Sequence, residues 1–445
     1  MQNLELQKWQ LQQRLLAFKD EVDFWRSETK NNNVYKRHQS QVRAFVEILD
    51  KVRARIEPSK ENPIENGEDI RERSKVVLGL FRIWQFLRGK LAQRSDARFT
   101  SFLWLADELA WLCYKPIYDV GLRQPPLVYL NGGYSPFTLT RKEEFQAESV
   151  PQELLRSHTL VEAMASLPFP VIGVPWYQIR SLADLPVIAH EVGHSVEADL
   201  DLTRSLQEAI RVVVADSVRC ARWLAWASEL FADLYGCLGC GRAFVSSLAN
   251  FLSTEDAASC TDVYPAPSLR FRFNVEVLNS LNYKHDAIAL SDRWQNIYPE
   301  TPEIAEYLKE GQKVADAMLE RVSARGRNLR DFLQFEKQHK RARELAQATK
   351  VKDPIPRGED MLALLAAYRL AFDALAEAYS PGEIAENLPT LDRLEKAMLD
   401  ALVPDVRAGE MAPTEGQRVA QEELETRSAN LWLDPLRSHP TTCQG

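Results

Sequence analysis

Residues 184–194 read DLPVIAHEVGH, and they carry the strongest structural signal in the chain. The four-residue spacing of His190 and His194 places both imidazoles on one face of a helix, one turn apart. Glu191 projects about 100° around the same helix. Asp184 predicts the start of that helix, as an acidic cap two residues before a proline. Two histidines placed in this way can share one metal ion, with a carboxylate beside it.

These residue types suit a zinc site that activates water. Histidine nitrogens are common zinc ligands, and zinc lowers the pKa of a bound water toward neutrality. A carboxylate at the position of Glu191 then takes the proton as the water attacks a carbonyl that the metal polarises. With seven histidines in the chain, chance gives an HExxH pattern only on the order of 0.01 times. We therefore predict that His190 and His194 bind metal and that Glu191 is the general base; the alternative is two ordinary helix-face histidines.

A third ligand has to come from another part of the chain. The metzincin pattern continues with a glycine and a third histidine, but Glu197 and Leu200 occupy those positions. Residues 228–236 read SELFADLYG and supply Glu229 and Asp233, four apart on a predicted helix. We predict Glu229 as the third ligand and Asp233 as the acid that holds the free ring nitrogen of a ligating histidine. The alternative, two acids on a solvated face, is disfavoured by apolar neighbours, because buried unpaired carboxylates are costly.

With these motifs the chain resembles the gluzincin metallopeptidases, which carry HExxH on one helix and a glutamate, usually followed four residues later by aspartate, on the next. The wording AHEVGH and ELFADLYG is most similar to the subset with an ExxAD box, which includes membrane-bound prenyl-protein proteases and stress proteases. The resemblance covers residues 171–277, about a quarter of the chain. It implies a zincin core, an active-site helix beneath a small sheet whose edge strand pairs with extended substrate. The run 171–174 has the sequence position expected of that edge strand.

A downstream segment, YPAPSLR at residues 264–270, is similar to the His-Pro…Arg box that follows the third ligand in such peptidases. Tyrosine stands where that box usually has histidine. The resemblance therefore implies that Tyr264 steadies the oxyanion of the transition state through its hydroxyl. It also implies that Arg270 binds substrate or holds the loop. Tyr235 and His285 are alternatives for the proton donor.

Helical patterns surround this central region. Apolar residues recur at steps of three and four in three N-terminal segments, at 4–25, 42–56 and 77–91. Short β-rich runs at 127–130 and 171–174 are bracketed by proline and glycine. The predicted class is α+β, predominantly α: a zincin-like catalytic core with a small β-sheet at residues 99–299, an N-terminal helical region at 1–98 and a C-terminal helical region at 300–445.

Composition limits the classes of partner. The net charge of −8 and pI of about 5.6 argue against a nucleic-acid partner, which needs a basic surface. No apolar run reaches the roughly 18 residues of a membrane span, and the N-terminus lacks a secretory pattern. Six scattered cysteines fit a reducing compartment. We expect no membrane span and a cytoplasmic location.

Three functions remain compatible with these patterns. The favoured one is a zinc-dependent peptidase, most simply an endopeptidase, that acts on peptides or proteins with Glu191 as general base. The second is a non-catalytic, zinc-stabilised interaction protein whose helical arms bind a protein partner. A fourth coordination position closed by a protein side chain would favour it. The third is a zinc hydrolase of another amide or an ester, which only substrate profiling separates from the first.

Overall fold

The computed structural model describes residues 2–121, 124–140, 167–324, 326–331, 333 and 335–402, and the single positions 422, 425, 426 and 429. Helices contain 75% and strands 4% of these described residues, which confirms the prediction of a predominantly helical protein with a small sheet. Among these residues, no helix is both long and apolar enough to cross a bilayer. The predicted division after residues 98 and 299 stays a prediction, and most of the chain beyond 402 lies outside the described residues.

Four long helices precede the sheet, and the first three follow the predicted apolar seams. The side chains of Leu11, Phe18 and Trp25 are buried where the first helix packs against the next two. Asn66 begins the third helix as an N-cap, its side chain accepting from two backbone N–H groups of the first turn. The helices are α1 (Gln2–Asn31), α2 (Gln39–Ile56), α3 (Gly67–Ala92) and α4 (Ala97–Gly121).

The small sheet has three strands, β1 (Leu127–Asn131), β2 (Phe137–Leu139) and β3 (Val171–Pro175), in the order β1-β3-β2. Strand β3 runs parallel to β1 and antiparallel to β2. The two predicted strands are confirmed, but the expectation that the run 171–174 forms the edge is wrong, because β3 is central. Every residue of β3 is buried. This burial agrees with its uninterrupted apolar sequence, which is typical of a strand that is covered on both faces of the sheet.

The sheet separates two clusters of buried apolar side chains. Alternation along β1 directs Leu127 and Tyr129 to a cluster formed with α1, α2 and α3. Val128 and Leu130 face the opposite way, into a cluster that contains α4 and the helices that follow the sheet. The candidate site lies on the side of this second cluster.

The remaining described helices are packed around the second cluster. A two-stranded hairpin, β4 (Ser323–Ala324) and β5 (Arg327–Asn328), follows the longest of them. The helices are α5 (Ile188–Leu200), α6 (Thr203–Val213), α7 (Ser217–Ala225), α8 (Ala227–Cys240), α9 (Arg242–Leu252), α10 (Pro267–Ser280), α11 (Lys284–Trp294), α12 (Pro302–Arg321), α13 (Phe335–Lys350), α14 (Met361–Ala378), α15 (Pro381–Asn387) and α16 (Asp392–Ala401).

The helix predicted to carry both histidines is present as α5, but Asp184 does not cap it. Residues Leu182–Val187 form a 3-10 turn that leads directly into α5, and the Ile188 N–H is bonded within that turn. The carboxylate of Asp184 instead accepts from Arg369 Nη1 at 2.7 Å. The continuous 3-10 turn satisfies the entry to the helix, so a side-chain cap is not needed.

Candidate metal centre

Two helices approach unusually closely at the site. Gly193 of α5 lies against Ala232 of α8, and a Cβ on Gly193 would stand only 2.8 Å from the Ala232 Cα. Glycine on one helix and alanine on the other therefore set the spacing between the two backbones. This close spacing allows side chains that flank Gly193 on α5 to reach side chains that flank Ala232 on α8.

Gly193→Ala should weaken both the fold and the metal site. The added methyl meets backbone that cannot move aside without separating α5 from α8, so we expect a loss of about 1–3 kcal/mol in the free energy of unfolding. Urea unfolding and zinc affinity measure the two effects. Gly89→Ala is the matched control, because that exposed helical glycine has open space at its Cβ position. It should stabilise the protein by up to about 1 kcal/mol; equal behaviour of the two variants would contradict the packing argument.

The three predicted ligands converge at the crossing. His190 Nε2 and His194 Nε2 lie 3.2 Å apart, and each is 3.5 Å from one oxygen of the Glu229 carboxylate. A ligand atom from each of the three residues lies within 4.8 Å of the others. The set can therefore hold one metal ion. Two imidazole nitrogens and one carboxylate are a donor set that zinc accepts, so the residues fit the predicted cofactor.

Asp233 contacts the Nδ1 edge of the His190 ring. Its Oδ1 is 2.8 Å from His190 Nδ1, a close contact between a carboxylate and a ring nitrogen. The same carboxylate accepts from Arg270 Nε at 3.0 Å, Arg270 Nη2 at 2.7 Å and Asn274 Nδ2 at 3.1 Å. The fully buried Asp233 is thus fixed by a bidentate guanidinium and an amide.

This charge arrangement shifts the pKa values of the buried groups. Burial lowers the pKa of His190, but Asp233 and Glu229 outweigh it and raise that pKa to about 10. Burial raises the pKa of Glu229, yet His194, His190 and Arg270 bring it down to about 2. The pKa of Asp233 is lowered, against its burial, chiefly by Arg270, and the pKa of Arg270 is raised by Asp233. These interactions favour the ionised form of both carboxylates, although each is buried.

Glu191 is buried beside the three convergent groups and points toward the sheet. Its Oε2 accepts a hydrogen bond of 2.7 Å from the hydroxyl of Thr138 on β2. The same hydroxyl lies 2.9 Å from the Glu191 main-chain oxygen. The edge strand therefore fixes the orientation of the predicted general base.

A cavity of about 770 Å³ opens onto this centre. His190, Glu191, His194 and Glu229 all line it, with β2 on one wall and residues 248–265 on another. The hydroxyls of Tyr134, three residues before β2, and Thr254 are 2.8 Å apart and share a hydrogen bond. The predicted base and the predicted ligands thus face the same space.

Tyr264 and Arg270, which were assigned from the YPAPSLR segment, both line the cavity but differ in exposure and in their contacts. Tyr264 lines the cavity and is 48% exposed, so its role toward the oxyanion stays a prediction. Arg270 also lines the cavity, and its guanidinium is held by Asp233, so its predicted substrate-binding and loop-holding roles stay predictions. Of the rival proton donors, Tyr235 is buried and donates to the Cys113 carbonyl at 2.7 Å, and His285 is exposed on α11. Neither rival lines the cavity.

Four residues that contact the candidate site directly or through a neighbour were not predicted: Thr138, Ser228, Glu197 and Asn274. Ser228 and Glu197 lie next to or within the quoted motifs, so their positions were visible. Thr138 and Asn274 have no signal of their own in the sequence, because only the tertiary fold brings them to the motifs.

Comparison of the chain with protein-family models, with curated proteins and with solved structures found no match in any of the three.

Proposed function

We propose that the chain is a zinc-dependent peptidase of the gluzincin type with a zincin-like core. His190, His194 and Glu229 hold the metal, and Glu191 is the general base. The observation that supports this most is the convergence of these four side chains on one cavity, beside a strand. The buried Asp233 behind a ligating histidine supports it further, because such a partner orients the ring and strengthens it as a ligand.

The side chains of the site divide the work of hydrolysis. Zinc, when bound, supplies a Lewis acid that polarises a carbonyl and acidifies a water molecule. Glu191 takes the proton from the attacking water and passes it to the leaving amine, and the Thr138 hydroxyl holds the carboxylate in position for both transfers. Tyr264 donates from the cavity wall to the developing oxyanion.

Strand β2 is the candidate for pairing with extended substrate. It forms an edge of the described sheet and lines the cavity with all three of its residues. An extended peptide added along this edge gains main-chain hydrogen bonds and passes directly in front of Glu191, which Thr138 contacts. In this proposal β2 takes the substrate-pairing role that the resemblance implied for the run 171–174.

The electrostatics of the cavity favour positively charged peptides. Glu255 and Asp256 line it in addition to Glu191 and Glu229. Arg270 is the one arginine among the described residues that line it, none of which is a lysine, and Asp233 pairs with its guanidinium. A lysine or arginine side chain in the substrate can therefore pair with the carboxylates of Glu255 and Asp256, since the one guanidinium of the lining is already held by Asp233.

Glu255→Gln and Asp256→Asn should each lower kcat/KM for basic peptides by about 2- to 5-fold, as expected for loss of one exposed ion pair of up to ~1 kcal/mol. Rates for uncharged peptides should not change. Paired peptides that differ by one lysine, assayed at low and high salt, measure this preference. Glu303→Gln, at an exposed position outside the cavity, is the control. Equal losses on basic and uncharged peptides would contradict the preference.

The experiment that tests the function combines metal analysis with substrate profiling. Elemental analysis should find about one zinc per chain, as expected for a single three-residue donor set. Mass spectrometry of a diverse peptide library should then show products with wild type that are lost on chelation and restored by zinc. Metal-loaded protein that cleaves no peptide contradicts the proposal, and cleavage restricted to non-peptide amides or esters redirects it to the third function.

A second candidate is the non-catalytic interaction protein, which one feature of α1 favours. Leu6, Trp9, Leu16 and Phe24 are exposed, and helical spacing places all four on the side opposite the buried Leu11 and Phe18. Such a stripe suits a partner helix. A metal-bound structure in which a protein side chain fills the fourth coordination position would favour this candidate over the peptidase.

A further inference from the structure

We propose that Ser228 and Glu197 form a hydrogen-bonded relay that fixes the tautomer and orientation of His194. The proposal rests on the metal-binding part of the proposed function and not on peptide cleavage. In this arrangement the Nδ1 edge of His194 is linked to a carboxylate through Ser228, whereas the Nδ1 edge of His190 contacts the Asp233 carboxylate directly.

The relay is visible as a chain of contacts. Ser228 Oγ lies 2.5 Å from Glu197 Oε2 and 3.4 Å from His194 Nδ1. The other oxygen of Glu197 accepts from the Thr203 hydroxyl at 2.8 Å. Glu197 lies three residues after His194, so both project from one face of α5, and Ser228 is presented to them by the first turn of α8.

The chemistry of these groups sets the direction of the hydrogen bonds. A carboxylate can only accept, so Ser228 donates its single proton to Glu197. Ser228 then offers His194 only a lone pair, and His194 has to donate from Nδ1. The proton therefore resides on Nδ1, and the Nε2 lone pair is left free on the side of His190 and Glu229, where a metal would bind.

Burial of Glu197 supports a role at the site. Its side chain is 5% exposed, and among the described residues no lysine or arginine pairs with it. A buried carboxylate held by two hydroxyls alone is costly for stability. A role at the site explains why this cost is tolerated, because the Ser228 hydroxyl contacts both the Glu197 carboxylate and the ring of His194. Glu197 occupies the position at which the metzincin pattern has a glycine. In this proposal the residue at that position supports His194.

Removing either member of the relay should weaken metal binding. Loss of a hydrogen-bond partner of a ligating histidine typically lowers metal affinity by about 10- to 100-fold. We expect this range for Ser228→Ala and for Glu197→Met, which removes the acceptor of the Ser228 proton, and a change of less than about threefold for Ser228→Thr, which keeps the hydroxyl. Because the two residues act in series, the double variant should bind zinc no more weakly than the weaker single variant.

Two measurements test the relay. Zinc dissociation constants from competition with a chromophoric chelator compare the wild type with the three single variants and the double variant, and thermal unfolding shows whether each remains folded. Long-range 1H–15N NMR of histidine-labelled, metal-free wild type reports the tautomer of His194 without any substitution. The expected results are the Nδ1–H form and the affinity pattern above.

The outcomes separate this proposal from the proposed function. An Nε2–H tautomer, an unchanged zinc affinity of Ser228→Ala, or additive losses in the double variant overturns the relay while leaving the zinc site intact. A wild type that binds no divalent metal overturns the proposed function as well. Zinc-binding protein with the expected affinity pattern but no peptidase activity supports the relay and contradicts the peptidase.

Discussion

Glu191→Gln is expected to lower kcat/KM for peptide cleavage by about 10²- to 10⁴-fold, the range for losing a general base. Glutamine keeps the shape of the side chain and can still accept from Thr138, but it cannot take a proton from water. Because Glu191 lies outside the set of three converging ligands, zinc content should remain that of the wild type. Steady-state kinetics on the best library peptide, with elemental analysis of the same samples, measures both.

Glu208→Gln provides the comparison, since Glu208 is exposed on α6 and does not line the cavity. It should cleave at the wild-type rate. If Glu191→Gln cleaves at that rate too, Glu191 is not the base. If it loses its zinc, the carboxylate is serving as a ligand, and the division of roles between Glu191 and Glu229 is wrong.

Each half of the candidate site could be predicted, because helix periodicity places its members on one face of a helix. His190 and His194 are one turn apart, as are Glu229 and Asp233, and a metal or a hydrogen bond needs no more than the correct face of each helix. The N-terminal helices were predictable for the same reason, since their apolar seams repeat at the helical period. What had to be added was that α5 and α8 cross at Gly193 and Ala232.

The sheet order could not be predicted, because strand pairing depends on residues distant in sequence. The run 171–174 lies just upstream of α5 and was assigned to the edge on that proximity. Its unbroken apolar sequence instead suits the centre of the sheet. Strand β2 has only three residues, too few for an alternating pattern to stand out, so Thr138 and its contact with Glu191 were missed.

Arg270→Met is expected to destabilise the protein by about 3–5 kcal/mol, more than an ordinary core substitution. Arg270 supplies two of the hydrogen bonds that satisfy the buried carboxylate of Asp233, and it lies 3.5 Å from Glu229. Its removal leaves two buried carboxylates, and among the described residues His190, His194 and Asn274 remain to offset them. Urea unfolding of metal-free protein measures the loss. Arg270→Lys should restore part of it, because a lysine supplies the charge but not the bidentate geometry.

The double variant Arg270→Met with Asp233→Asn separates a structural ion pair from a substrate-binding arginine. If the cost arises from an uncompensated charge, neutralising Asp233 should recover at least about 1–2 kcal/mol of the free energy of unfolding, a coupling typical of contacting residues. The zinc affinity should nevertheless stay low, because His190 keeps only an amide behind its ring. An Arg270→Met protein with wild-type stability and a raised KM alone would instead return Arg270 to the substrate-binding role that the YPAPSLR segment implies, since Arg270 also lines the cavity.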